Sequence, residues 1–511
     1  MDVTKIYPDL EGALRLASGG DYQILPLSLR IPVGELTPVK VMKLLKSVDH
    51  HCFMLESAQQ SVTFPYAATQ AEAVTKYEWG RYTFLGYDPI LELTCTNARV
   101  TGVIGASGPE DAIRDLMATH KSPQVAGLPS FTGGLVGYFS YDFIKYSEPK
   151  LCLDAQDQEH FRDMDLMLFD KVIAFDHVER EITLIANIRV ADGSVGTVSN
   201  HFPENYEKGV AQLRRMEELL AQPVPDTYEK GYVKSPFRPL FEKEQYCRMV
   251  ERAKRYIYEG DIFQVVLSNR FDADFKGSLF DVYRFLRDTN PSPYMFYFSG
   301  GDVEFAGASP ETLVKLEGKT LHTFPLAGTK PRGKTLAEDE ALEKELLGDP
   351  KELSEHNMLV DLGRNDLGKI STFGSVAVEN YLGIQRFSHV MHIGSTVVGT
   401  IREDRDGLSA IEAVLPAGTL SGAPKIRACE IINELENNKR GLYGGAIGYI
   451  SFTGNVDTCI AIRLAFQKNG RVFVRSGAGI VADSVPEREY AECLQKAQAV
   501  MDALERTKGD D

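Results

Sequence analysis

The spacing of apolar residues along the 511 positions changes repeatedly, and each change marks an element. Alternation, or richness in β-formers, predicts strands over 82–86, 90–94, 135–139 and 181–186. Helical spacing appears over 37–46, 109–120, 206–221 and 242–259. Toward the C-terminus three strands, 446–452, 458–466 and 471–476, follow one another, with Lys468-Asn469-Gly470 as a hairpin signal. Strands that run consecutively, without strict alternation with helices, point to an α+β class with antiparallel sheets. Between 222 and 241 the periodicity lapses around Pro223, Pro225, Pro236 and Pro239. The chain therefore divides into an N-terminal unit 1–221, a linker 222–241 and a larger unit 242–511. One echo joins the units: Gly133-Gly-Leu-Val-Gly-Tyr and Gly444-Gly-Ala-Ile-Gly-Tyr share G-G-x-x-G-Y, from duplication or from two glycine-led strands arising separately.

Charge narrows the partners. The net charge of −16 repels phosphate backbones and anionic lipid, which excludes nucleic acid and membrane as main partners but permits a local basic pocket. With 43% hydrophobic residues the chain can bury large cores. No apolar run approaches the roughly 20 residues of a membrane span, and no signal peptide is visible at the start. Seven scattered cysteines without a C-x-x-C pair read as reduced thiols of a cytoplasmic protein.

Candidate chemistry gathers in the larger unit. Gly477-Ala-Gly-Ile-Val-Ala matches the opening of a dinucleotide fingerprint, but Asp483-Ser-Val-Pro486 stands where a helix should begin. What is left is a small-residue turn, either ordinary or able to bring N–H groups close to an anion. Glu489 and Glu492 share one face of a helix over 487–504, and Glu352 and Glu355 repeat that spacing on a helix over 350–360. Such pairs are commonly solvated surface; two of them brought together would offer hard oxygen ligands to Mg²⁺. Gly418-Thr-Leu-Ser-Gly-Ala-Pro-Lys425 reads as a polar loop opening a helix that runs to 436. Residues 325–333 form a second polar loop, carrying Lys330 and Arg332. These features imply a Mg²⁺-assisted site for a small polyanion, with the reaction left open.

At these loops the chain resembles the chorismate-utilising enzymes, specifically the anthranilate synthase component I family. The matching stretches are Gly307-Ala-Ser-Pro-Glu-Thr-Leu, Pro325-Leu-Ala-Gly-Thr-Lys-Pro-Arg-Gly, Glu355-His-Asn-Met-Leu-Val-Asp-Leu-Gly-Arg-Asn-Asp, Leu415-Pro-Ala-Gly-Thr-Leu-Ser-Gly-Ala-Pro-Lys and Gly477-Ala-Gly-Ile-Val-Ala-Asp-Ser. Phe53-Met-Leu-Glu-Ser-Ala and Arg81-Tyr-Thr-Phe-Leu-Gly match more loosely. The resemblance implies two packed antiparallel β-sheets with flanking helices, and conversion of chorismate and ammonia to anthranilate and pyruvate. It implies Glu355 and Glu492 as Mg²⁺ ligands, with Glu352 and Glu489 behind them or bridged by water. Gly328, Thr329, Tyr443, Arg463, Gly477, Ala478 and Gly479 match chorismate-binding positions. Glu311 and His392 match acid–base positions, and Thr419 one that orients the substrate; on its own, His392 would pass for a core histidine.

Two residues distinguish relatives. Isochorismate and salicylate synthases carry a lysine base where this chain has Gln264, and aminodeoxychorismate synthases usually carry a lysine nucleophile where it has Ala327. Ammonia as direct nucleophile fits that pair. No G-x-C-x-G nucleophile elbow occurs, so the resemblance implies a separate glutamine amidotransferase partner (component II). Leu55, Glu56 and Ser57, with Pro293, Tyr294 and Met295, match tryptophan-binding stretches and imply feedback inhibition by L-tryptophan. The alternatives are an aminodeoxychorismate synthase component I lacking the loop lysine, and a catalytically inactive regulatory homologue.

Overall fold

A computed structural model describes residues 5–57, 80–191, 198–225, 228–386 and 390–507. Among these, the strands form two sheets, of 13 and 11 strands, and every ladder is antiparallel. Phenylalanines fill the space between the sheets: Phe53, Phe169, Phe296, Phe305, Phe466 and Phe473 belong to one buried cluster. The outer face of the larger sheet is covered by helices that include Phe202–Leu220, Phe280–Thr289 and Pro486–Arg506. The expected α+β architecture of two packed antiparallel sheets is what the chain adopts. No helix among the described residues is long and apolar enough to cross a membrane.

The division at 222–241 does not part the packing. Each half of the chain supplies a contiguous block of strands to each sheet. In the larger sheet the blocks join where Cys52–Glu56 pairs with Tyr294–Ser299. In the smaller one they join where Gly134–Phe139 pairs with Ala446–Ser451. The linker is itself tied down, since Tyr232–Val233 and Arg238–Pro239 both pair with the long strand Gln264–Lys276. The G-G-x-x-G-Y echo lies at the second junction, where Gly137 faces Gly448 across the ladder. A Cβ on either would come within 2.0–2.1 Å of a carbonyl on the next strand, so both positions require glycine.

Three local readings change. The expected strand 458–466 is two strands, Val456–Ile460 in the smaller sheet and Leu464–Lys468 in the larger, with the chain crossing between sheets at 461–463. Arg463 makes that turn with φ +54°. The loop 325–333 contains an edge strand, Leu326–Pro331, paired with Val390–Thr400. The glycine turn at 477–479 is the straight continuation of Arg471–Ile480, laddered to Gln264–Lys276. Small residues there permit close approach on a strand, not a turn.

Candidate active site

Two sheet-to-sheet crossings in the C-terminal half carry functional candidates, and they lie side by side. Glu304–Ser309 of the larger sheet passes through Pro310 and Glu311 into Thr312–Glu317 of the smaller. The returning crossing is 461–463. The Ala308 N–H donates to Arg463 O (3.1 Å) and the Ile460 N–H to Glu311 O (2.9 Å). A backbone clasp thus brings Glu311 and Arg463 together although 152 positions separate them. Tyr443 joins them, because the Gly444 N–H donates to Ala461 O (2.9 Å).

Glu311 is half-buried and accepts a hydrogen bond from Thr419 Oγ1 (3.0 Å). Burial raises its carboxyl to about 7; the Thr419 hydroxyl and the Lys496 ammonium oppose that rise without cancelling it. A carboxyl poised there can carry a proton at neutral pH and give it up. His392, on Val390–Thr400, donates from Nδ1 to Gly328 O (2.9 Å), with Thr329 Oγ1 at 3.1 Å, which puts the imidazole lone pair on Nε2. Burial, with Arg463 adding to it, lowers the imidazole and keeps it neutral. Arg463 is half-buried, and among the described residues no carboxylate pairs with it. A desolvated guanidinium without a counter-ion is costly unless a ligand supplies one.

The two carboxylate-bearing helices approach the same place. Glu352 lies near Gly328, where a Cβ would come within 3.0 Å of its Oε2. The Glu355 carboxyl is raised by burial first and then by Glu352, with Glu492 on the other helix contributing. Burial and Glu492 likewise raise Glu489. These four glutamates do not collapse into one tight cluster. Among the described residues the one such group is Asp49, His50 and His51, at the end of Pro38–Val48 in the N-terminal half. Mg²⁺ needs only one or two carboxylates, water completing its shell, so two glutamates such as Glu355 and Glu492 could hold one. Carboxylates gathered from two helices, with Glu355 and Glu489 raised by burial and acidic neighbours, suit a divalent cation.

Two residues outside the expected set belong here. Lys496 pairs with Glu492 (2.6 Å), donates to Gly477 O (3.2 Å) and acts on Glu311, Glu355 and Glu489. It stands four residues past Glu492, on the helical face that the i, i+3 pair Glu489 and Glu492 already marks in the sequence. Gln264 is buried against the glycine strand: a Cβ on Gly479 would lie 2.8 Å from its Nε2. Its Oε1 has no hydrogen-bond partner among the described residues. Tyr443 is buried with its hydroxyl beside Gly477, where a Cβ would meet it at 2.9 Å. Ala478 packs away from this floor, in the cluster beneath the helix Lys425–Glu436.

A second cavity, of about 700 Å³, lies at the junction of the two halves in the larger sheet. Leu55, Glu56, Ser57, Pro293, Tyr294 and Met295 all line it, and Met295 is directly opposite Glu56 in the ladder. Their side chains differ in how far they are free to meet a ligand. Arg287 grips the Glu56 carboxylate with two bonds of 2.8 Å and Tyr283 adds a third of 2.7 Å, so Glu56 is already neutralised. Met295 packs into the helix-side core, whereas Leu55 and Tyr294 pack with the inter-sheet cluster. Ser57 Oγ is buried without a partner among the described residues, the clearest polar anchor in this cavity.

Residues 52–502 match the chorismate binding enzyme family, and the chain belongs to it. Its nearly full-length similarity lies with relatives named anthranilate synthase component 1. It is 42% identical to that of Acetivibrio thermocellus over 98% of both chains, and 42% identical to that of Pseudomonas aeruginosa over 97% of this chain and 98% of the relative. The solved anthranilate synthase component I of Streptococcus pneumoniae superposes with TM-score 0.72 at 36% identity, covering 92% of this chain and 98% of that one.

Proposed function

We propose that this chain is the chorismate-converting component of an anthranilate synthase, acting with ammonia in tryptophan biosynthesis. The observation that supports this most is the unpaired Arg463 between His392 and Tyr443, with Glu311 clasped beside it. Arg463 would hold a substrate carboxylate bidentately. Glu311, protonated, would give its proton to the departing 4-hydroxyl, which leaves as water, and Thr419 keeps that carboxyl aimed. His392, neutral with its lone pair on Nε2, would take the C2 proton as pyruvate departs. Glu355 and Glu492 would hold Mg²⁺, which when bound supplies positive charge to the substrate's ring carboxylate. Lys496 would stay as the fixed cation on that side. Gln264 and Ala327 cannot serve as a lysine base or nucleophile, which favours nitrogen from ammonia itself; the open Gln264 Oε1 can accept one of its N–H groups.

The test is an assay with chorismate, Mg²⁺ and ammonium salt, following anthranilate fluorescence and pyruvate together. Equal release of both supports the reading. An amino product without pyruvate would make the chain an aminodeoxychorismate synthase component, and no turnover would make it an inactive homologue. Without a nucleophile elbow in the sequence, the isolated chain should use ammonium but leave glutamine at background. Adding a glutamine amidotransferase subunit should confer glutamine use; glutamine-dependent turnover by the pure chain would overturn that division of labour.

The junction cavity is proposed as a tryptophan site, with Ser57 bonding the amino acid's polar end and Leu55 and Tyr294 against the indole. It is formed by both halves of the chain, so a ligand there can favour one arrangement of them over another. It inhibits if it prefers the less active one. Ser57→Ala should weaken inhibition about tenfold, the worth of one charge-assisted hydrogen bond, and leave the uninhibited rate unchanged. Calorimetry showing no tryptophan binding would remove the regulatory role and leave the catalytic one.

A further inference from the structure

We propose that Lys425 is a positioning residue: its buried ammonium closes the base of the loop 415–424 and ties that loop to the helix bearing Glu352 and Glu355. This rests on the catalytic reading of Glu311 and Thr419 given above. Lys425 is the first residue of Lys425–Glu436, the positive end of a helix, where a buried cation is disfavoured twice over. Its surroundings supply the compensation. Nζ donates to Asp366 Oδ2 (2.7 Å) and to Val414 O (2.7 Å). Val414 is the last residue of Gly407–Val414, so its carbonyl lies at that helix's negative end. Asp366 is buried near the end of Pro350–Gly368 and shares its charge with Lys369 (3.2 Å). Burial lowers the Lys425 ammonium, and Asp366 is the main opposing influence.

Three helices therefore meet at one side chain. The bond from Lys425 to Val414 O spans the ten residues 415–424, among them Thr419. A second contact holds the same loop to the same helix: a Cβ on Gly418 would come within 1.9 Å of Leu362 Cδ2, so the loop lies directly on Pro350–Gly368. Lys425 itself has no place in the reaction. Acting through the loop, it would fix where Thr419 stands, and Thr419 holds the Glu311 carboxyl.

A role of this kind has a signature that general destabilisation lacks. Thr419 lowers the Glu311 carboxyl, and the other charge acting on it, Lys496, is on a different helix. If the loop shifts, Glu311 loses the hydroxyl but keeps Lys496, and its titration moves upward. Lys425→Met should cut kcat about tenfold or more with KM for chorismate within about threefold. It should also move the alkaline limb of the kcat/KM profile to higher pH. Hydrogen exchange on the whole chain should show faster amide exchange at 415–421, ahead of the short strand Gly422–Ala423, with the ladder between Gln264–Lys276 and Arg471–Ile480 unchanged. Lys425→Met with wild-type exchange in the loop overturns the clamp, as does lost activity with an unmoved limb. If Lys425→Met does not fold, Asp366→Asn and Lys425→Arg carry the same two readouts, and wild-type values in both overturn it. A wild-type limb that survives Glu311→Gln would count against the catalytic reading instead, while the exchange result still decides the clamp.

Discussion

Glu311→Gln should lower kcat/KM for chorismate by about 10²–10⁴-fold, the usual worth of a general acid. The amide is the same size and can still accept from Thr419, so folding should be untouched. The pH profile is the sharper readout. Glu311 carries its proton below its pKa of about 7 and loses it above, so the wild-type rate should fall as pH rises through that range. Chorismate brings two carboxylates of its own, which oppose ionisation of Glu311 in the complex. The limb in kcat should therefore lie at or above the limb in kcat/KM. In Glu311→Gln the residual rate should lose this limb. A variant within about threefold of wild type, or one that keeps the limb, would remove Glu311 from the acid role.

The α+β class was legible in the sequence because consecutive alternating segments leave few other architectures. Strand order was not. A nearly unbroken apolar run continues from Cys459 to Phe466, so nothing in the pattern shows that the chain changes sheets at 461–463. Yet that change sets Arg463 beside Glu311. The boundary at 222–241 was legible, but the ladders that cross it were not, for the opposite reason. Proline and lost periodicity mark a break in local structure, whereas division into units depends on ladders between residues more than 200 positions apart. Glutamate pairs at helical spacing were readable, but their approach to one another was not, and Lys496 went unnoticed because a cation on an acidic face reads as an ordinary i, i+4 pair. Glu56 matched a ligand-binding pattern, while only the fold reveals that Arg287 has claimed its charge.

Removing the metal should have the other large effect. Glu355 and Glu492 are drawn toward one place by two helices, and among the described residues the only cation paired with either is Lys496, four residues from Glu492. A dianionic substrate entering that field would be repelled by glutamates on both sides, with Arg463, Lys496 and Lys351 to offset them. EDTA should therefore reduce turnover to background, with Mg²⁺ restoring it. Glu355→Gln and Glu492→Gln should each cost about 10²-fold or more in kcat/KM, a loss beyond that of altering residues that merely support a metal's ligands. Glu352→Gln and Glu489→Gln should cost less and chiefly raise the Mg²⁺ needed for half-maximal rate. The two exchanges differ in kind at Lys496. Glu492→Gln releases its ammonium from a 2.6 Å ion pair, whereas Glu355→Gln leaves that pair intact. Excess Mg²⁺ should rescue Glu355→Gln in part and Glu492→Gln hardly at all, because a freed ammonium on the same helical face would then compete for the place of the ion. Full activity in EDTA, or in both variants, would remove these glutamates as the metal's ligands and return the carboxylate faces to solvated surface.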